Sequence, residues 1–472
     1  MLLCAFIPLV SFALAVVLPR AEGAIDLPDT YLVKFKEGVE EAVREKHTEW
    51  VKSLERLNDD GTVARGLRFE FGLAFQGYSA VLDKEDLKVV RNSPEIAEIK
   101  GVGTSAPALT YLTEEKAVRF TDENVDPDII QLTALDNVTD SKASQILTEK
   151  NKGWNTVRLS KRDYKPNGFN NGPWIHDGYL GQGVDVFVLD SGVNLKQPGF
   201  AGSKVVDAKN FVRGTNISDN QGHGTMCAGV IAGRYAGLSP KATLHNVKIA
   251  DDDDRAACDS TVAGIEYVVN APGKNNMKVI SMSQTGFTGR PDVSTAVAAA
   301  VKKGVHVVVC AGNYDVDACG VQPSNAPGAI VVGSTNPNNI FPTKQTDREG
   351  TNVGRCVTIF APGSGVPTLS TKNLDPNYHY FAWGTSIAAP QVAALIANRL
   401  SKVGAQTPEE IRNWLVGTAT KNQIGGNLRG SPNLIAFSGV GEEGAGVGTG
   451  RFTAANKVPG LKKSADDSDK VD

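Results

Sequence analysis

Two kinds of apolar pattern divide the chain. Between residues 151 and 440, short continuous runs rich in β-branched residues recur: Val184–Leu189, Ala242–Ile249, Lys278–Met282, Val305–Val309, Ala329–Val332 and Val357–Phe360. Runs of this length without alternation predict strands buried on both faces. Segments with helical spacing lie between or after them: His223–Ala232, Asp259–Asn270, Ser294–Lys303, Ser386–Leu400 and Pro408–Leu415. Buried strands alternating with helices predict an α/β fold, a doubly wound and mostly parallel sheet covered by helices on both faces. In such sheets functional groups gather beyond the carboxyl ends of the strands.

Residues 24–103 carry a different pattern. Tyr31–Phe35 alternates, Val39–Leu57 has helical spacing with many charges, and Phe75–Leu82 is a second strand. Lys84–Asn92 is a short helix stopped at Ser93-Pro94, and Glu95–Lys100 is a last strand. This predicts a small, separate α+β module. Residues 104–150 are polar and only weakly periodic, and Asp122–Asp128 reads as an accessible linker where proteolytic processing concentrates. Met1–Leu18 carries no charged side chain and is nearly all apolar. No other stretch is long and apolar enough to span a bilayer, so residues 1–23 predict a cleaved signal peptide rather than an anchor, although a positive n-region is missing. The tail 441–472, Gly-rich and then charged, is expected to be disordered.

Composition narrows the function classes. A length of 472 residues predicts more than one domain, and a net charge of −3 gives no basic footprint for nucleic acid. Cys4 falls in the leader, which leaves Cys227, Cys258, Cys310, Cys319 and Cys356, an odd number without a C-x-x-C pair. That argues against a zinc site, and no metal ligand set is assigned. Two sequons, at Asn137 and Asn216, fit a secretory route with glycosylation.

Four short strings carry the chemistry. Asp190 closes the strand Val184–Leu189 before Ser191-Gly192 turns the chain. His223 lies between glycines, ahead of a run of small residues. Asn313 ends Val307–Gly312 at another strand's carboxyl end, where an amide can donate to a developing oxyanion. Ser386, in Gly384-Thr385-Ser386-Ile387-Ala388-Ala389-Pro390, starts a helix whose dipole favours negative charge. Each taken alone is equally a turn or a helix cap. Together they place carboxylate, imidazole, amide and hydroxyl at strand ends and helix starts, in the order known from subtilisin.

The strings D-S-G at 190–192, H-G-T-M-C-A-G at 223–229, A-G-N at 311–313 and G-T-S-I-A-A-P at 384–390 resemble the subtilisin superfamily, most closely its proteinase K branch. The resemblance covers residues 151–440 and implies a serine endopeptidase with the triad Asp190, His223 and Ser386, and Asn313 in the oxyanion site. Residues 24–103, through Phe75–Leu82 and Ser93–Ile96, resemble the inhibitor-type prosegment of such enzymes. That implies a self-processing zymogen whose prosegment is its own intramolecular inhibitor, with 104–150 as the processing region. The resemblance further implies a disulfide between Cys319 and Cys356 and a buried free thiol at Cys227. Protein or peptide substrates are expected as partners of a monomer, without nucleic acid or a membrane span, and secretion is expected, with a vacuole as the alternative.

The chain departs from the family at several points. Gln391 replaces a histidine. The specificity wall reads Ser283-Gln284-Thr285-Gly286, with Thr285 where a glycine is usual; Gly312 is also expected to bind substrate. The second substrate strand reads Arg255-Ala256-Ala257-Cys258, preceded by four aspartates, Asp251–Asp254, that are either a solvated loop or a selector of basic substrate residues. Thr358 stands where relatives place a calcium-binding aspartate, which weakens the expectation of structural calcium; no other cofactor is required. A catalytically inactive binding protein of the same fold is the alternative, and the intact triad argues against it. A nucleotide-binding α/β protein is set aside, because no G-x-G-x-x-G follows Val184–Leu189.

Overall fold

The computed structural model describes residues 26–105, 112–119, 146–164, 172–287, 291–343, 350–371, 374 and 378–440. The signal segment, Asn137, the stretch 122–128 and the tail from 441 lie outside the described residues.

The N-terminal module comprises β1 (Asp26–Phe35), α1 (Glu41–Ser53), β2 (Arg56–Leu57), β3 (Val63–Phe71), β4 (Gly77–Val81), α2 (Lys84–Asn92) and β5 (Ile96–Gly103). Its antiparallel sheet has the order β2-β3-β4-β1-β5. Val33, Phe35, Val51, Tyr78, Leu82 and Val90 form its core. Asp83 caps α2 by accepting from the Glu85 and Asp86 amides. The apolar pattern does not reveal β3, because its Arg65 and Arg68 serve ion pairs rather than a core.

Strands also occur within the region read as a linker. β6 (Leu112–Arg119) and β7 (Leu147–Lys152) precede α3 (Trp154–Ser160) and β8 (Gly172–His176). β7 pairs with β8. Both β6 and β7 are polar strands in small sheets, which a search for apolar runs passes over.

The large sheet holds β9 (Asp185–Asp190), β10 (Lys204–Asn210), β11 (Thr243–Lys248), β12 (Lys278–Met282), β13 (His306–Cys310), β14 (Ile330–Thr335) and β15 (Ile359–Pro362). Beyond the short β16 (Val366–Thr368) and β17 (Tyr378–Ala382), it is completed by β18 (Thr420–Lys421) and β19 (Leu434–Ile435). Its order is β10-β11-β9-β12-β13-β14-β15-β19-β18. Only β18, at the edge, is antiparallel to its neighbour. β16 and β17 pair with each other, and β17 also with β6.

Period-two alternation sends side chains to two helical layers. Val186, Val188, Val279 and Val308 share a core with α4 (His223–Ala232) and α7 (Thr385–Val403). Phe187, Leu189, Ile280, Val307 and Val309 share the other with α5 (Cys258–Asn270) and α6 (Pro291–Lys302). The last helix, α8 (Pro408–Thr418), is capped by Thr407 and Glu410 in a capping box. From β9 the chain crosses to the edge strand β10, returns through β11, then passes β9 to β12 and runs outward through β13, β14 and β15, so the direction changes between the adjacent strands β9 and β12.

Candidate active site

The site is built where strands end together. The register pairs Asp190 of β9 with Lys248 of β11, Leu189 with Met282 of β12, and Met282 with Val309 of β13. Asp190 is buried at this edge. Its Oδ1 accepts from the Ser191 amide at 2.8 Å and lies 2.6 Å from His223 Nδ1. Such closeness needs Gly224: a Cβ there would fall 2.1 Å from the Gly192 carbonyl oxygen and 3.0 Å from Asp190 Cβ. Asp219 fixes the same approach, accepting from Ser191 Oγ at 3.0 Å, the Gly222 amide at 2.7 Å and the Thr225 amide at 2.8 Å. The apolar pattern is silent on Asp219. Its signal is an acidic residue within reach of a helix's first turn.

Ser386 is the second residue of α7, which the chain enters through Gly384 at φ +124°. Pro390 sits inside this helix and has no N–H to give to the Ser386 carbonyl four residues earlier. That carbonyl instead accepts from Ser283 Oγ at 2.8 Å and from Cys227 Sγ at 3.3 Å. The Ser386 backbone is thereby tied to α4 and to the segment that follows β12. Ser386 Oγ donates to the Ser283 carbonyl at 3.3 Å, while His223 Nε2 makes no hydrogen bond among the described residues. Asn313 Oδ1 accepts from the Thr385 amide at 2.8 Å and from Thr385 Oγ1 at 2.7 Å, so Nδ2 is the end turned away from Thr385.

Burial pushes the His223 pKa down, but the charge of Asp190 above all, with Asp254 adding to it, holds it well above its ordinary value. Burial pushes the Cys227 thiol up to about 11 and the Cys310 thiol up to about 12, so both are neutral at working pH. Cys258 is buried in the core cluster that contains α5.

The N-terminal module lies across α5 and α6. Arg68 donates to the fully buried Asp259 at 2.7 Å, the Gly72 amide to Glu266 at 2.9 Å, and Lys34 pairs with Asp292. Beyond β5, Thr104 bridges antiparallel to Ala257 and the Ser105 amide donates to the Ala256 carbonyl at 2.7 Å. Ser105 Oγ accepts from the Ala256 amide and donates to Gln284 Oε1. The strand named as substrate-binding is thus occupied by the module's own continuation. Thr285 donates to the Gln322 carbonyl, and a Cβ on Gly312 would lie 3.4 Å from its methyl, so the two line one space.

The four aspartates do not act as one patch. Asp251 caps its own turn, accepting from the Asp253 and Arg255 amides. Asp252 binds Lys248 and Asn220, and Asp253 pairs with Arg255. Asp254 alone turns inward and is 2% exposed. At the calcium position, Arg412 Nη1 donates to Thr358 Oγ1 at 3.1 Å and to the Ala329 carbonyl at 2.9 Å. A hydroxyl facing a guanidinium does not fit a divalent cation. Gln391 is fully buried, donating to the Pro362 and Ile387 carbonyls and accepting from Asn155. Cys319 and Cys356 form a disulfide, and Asn216 is exposed. No helix among the described residues is long and apolar enough to cross a membrane.

Comparison with known proteins agrees with this geometry. A family profile described as the subtilase family matches residues 181–433, and one described as peptidase inhibitor I9 matches residues 30–100. The chain is 32% identical to a subtilisin-like protease of Pseudogymnoascus destructans, over 90% of this chain and 92% of that protein. It is 31% identical to a cuticle-degrading serine protease of Arthrobotrys oligospora, over 89% and 92%. A solved cold-adapted subtilisin-like serine proteinase superposes with a TM-score of 0.54 at 29% identity, covering 61% of this chain and 98% of that one. The chain therefore belongs to the subtilase family, as a serine endopeptidase that carries an inhibitor-type prosegment.

Proposed function

We propose that the chain is a self-processing zymogen that cleaves protein substrates through Ser386, His223 and Asp190. The buried His223–Asp190 pair, set beside a serine at a helix N-terminus, carries this reading. In acylation Ser386 Oγ leaves the Ser283 carbonyl and gives its proton to His223 Nε2 as it attacks the peptide carbonyl. Asp190 holds the tautomer with Nδ1 protonated and stabilises the imidazolium. The oxyanion accepts from Asn313 Nδ2 and the Ser386 amide, with the start of α7 adding its dipole. His223 then protonates the leaving amine, and water resolves the acyl-enzyme.

Substrate backbone replaces the prosegment along Ala256 and Ala257, facing Ser283, Gln284, Thr285 and Gly312. Thr285 narrows the pocket that a glycine would leave open, and Cys258 supports the strand from the core. The Arg412 contacts favour an enzyme that holds no calcium at Thr358. The apolar leader, the Cys319–Cys356 disulfide and the exposed Asn216 support secretion with glycosylation. Incubation with a fluorophosphonate probe and casein tests the reading. Labelling and hydrolysis that disappear in Ser386→Ala are expected; hydrolysis that survives the substitution would overturn it.

A further inference from the structure

We propose that Asp254 is a positioning residue of the catalytic centre: a second carboxylate set against the His223 imidazole, which favours its protonated form and shifts hydrolysis toward higher pH. The inference rests on His223 acting as the general base.

The backbone builds this placement. Asp251 closes the turn through the Asp253 and Arg255 amides, and the Asp254 amide donates to the Asp251 carbonyl at 3.0 Å. Asp254 is thereby held at φ +59°, a left-handed conformation that aspartate tolerates better than most residues. Its carboxylate is directed away from solvent, with Oδ1 at 3.8 Å from His223 Nδ1. Gln284 Nε2 donates to the same oxygen at 2.8 Å. Two acidic side chains, from β9 and from the aspartate loop, thus face one imidazole.

Among the described residues, the following charged and titratable groups surround the pair. Asp190 faces His223 from β9 and Cys227 from α4, while Cys310 of β13 lies within electrostatic reach, both thiols being neutral. Asp219 lies on the Asp254 side and is engaged by Ser191 and Thr225. Lys248 is bound to the Ser191 carbonyl and Asp252. Burial pushes Asp254 up to about 7, with His223 opposing that rise and Asp190 adding to it. The sign is fixed by charge. Ionised Asp254 favours the imidazolium, catalysis needs the neutral ring, and so removing the charge frees Nε2 at lower pH.

The test is kcat/KM against pH, from about pH 5 to about pH 10, on an uncharged peptide substrate. It compares the full chain with Asp254→Asn and Asp254→Gly. Asparagine keeps an acceptor for Gln284 and removes the charge, while glycine suits the left-handed backbone, so each variant carries the test if the other fails to fold. In both, the acidic limb is expected at lower pH. The gain belongs where Asp254 is ionised and His223 of the parent is still protonated: activity near pH 8 should rise about fivefold, and the alkaline plateau should stay within about threefold of the parent. A purely structural Asp254 would lower the whole curve without moving the limb. Superimposable limbs, or a curve lowered throughout, would overturn the proposal alone. Absence of Ser386-dependent hydrolysis at every pH would overturn the catalytic reading, and the proposal with it.

Discussion

Asn313 commits its carbonyl oxygen twice to Thr385, and that makes its amide nitrogen a fixed donor rather than a rotating one. A preoriented donor acts mainly in the transition state. Asn313→Ala should therefore lower kcat by about 100- to 1000-fold, the loss seen for such a donor in subtilisin, while KM changes little. Steady-state kinetics check this, and a comparable kcat would remove Asn313 from the oxyanion site. Arg412 has a structural task. Its guanidinium joins Thr358 to the Ala329 carbonyl between β14 and β15, and burial lowers its pKa. Arg412→Met leaves that carbonyl without this donor, so a loss of about 1–3 kcal/mol is expected. Thermal melting should register it as several degrees. At this scale the sequence is legible where chemistry is written in short strings, as at Asp190, His223, Asn313 and Ser386. It is not legible at Asp254, because four aspartates look alike until a left-handed turn separates one from the rest.

Among elements, legibility follows burial. Lys278–Met282 is read from its apolar run with the same bounds that β12 has, and the helix expected at Ser386–Leu400 is α7. β10, with the sequence KVVDAKN, escapes the same reading because it is an edge strand that alternates with charge. β3 escapes it because its arginines are spent on partners in α2 and α5. That expenditure has a consequence. Arg68 is the counter-charge of Asp259, which is fully buried at the start of α5. Truncating one partner of a buried, hydrogen-bonded charge pair costs about 2–5 kcal/mol and acts mainly on dissociation. Arg68→Ala should therefore release the cleaved prosegment faster and shorten the lag before casein hydrolysis at least tenfold. An unchanged lag would show that the prosegment is held by its apolar face, through residues such as Phe69 against Phe211, and not by this pair.

The whole chain brings its inhibitor and its cleft together without a collision between molecules. β5 runs directly into Thr104 and Ser105, which already lie along Ala256 and Ala257. A cleavage point in the same chain is therefore tethered to the site, at an effective concentration set by the tether rather than by the concentration in solution. Processing should then be a first-order event of each molecule. Its half-time should not change when the precursor is diluted tenfold, and Ser386→Ala precursor alone should remain a single chain on a denaturing gel. Mixing a trace of active enzyme with the Ser386→Ala precursor separates the two routes. Cleavage that tracks the added enzyme, together with a wild-type half-time that lengthens on dilution, would assign maturation to a second molecule. Dilution-independent cleavage of wild type assigns it to the strand pairing already made at Ala256 and Ala257.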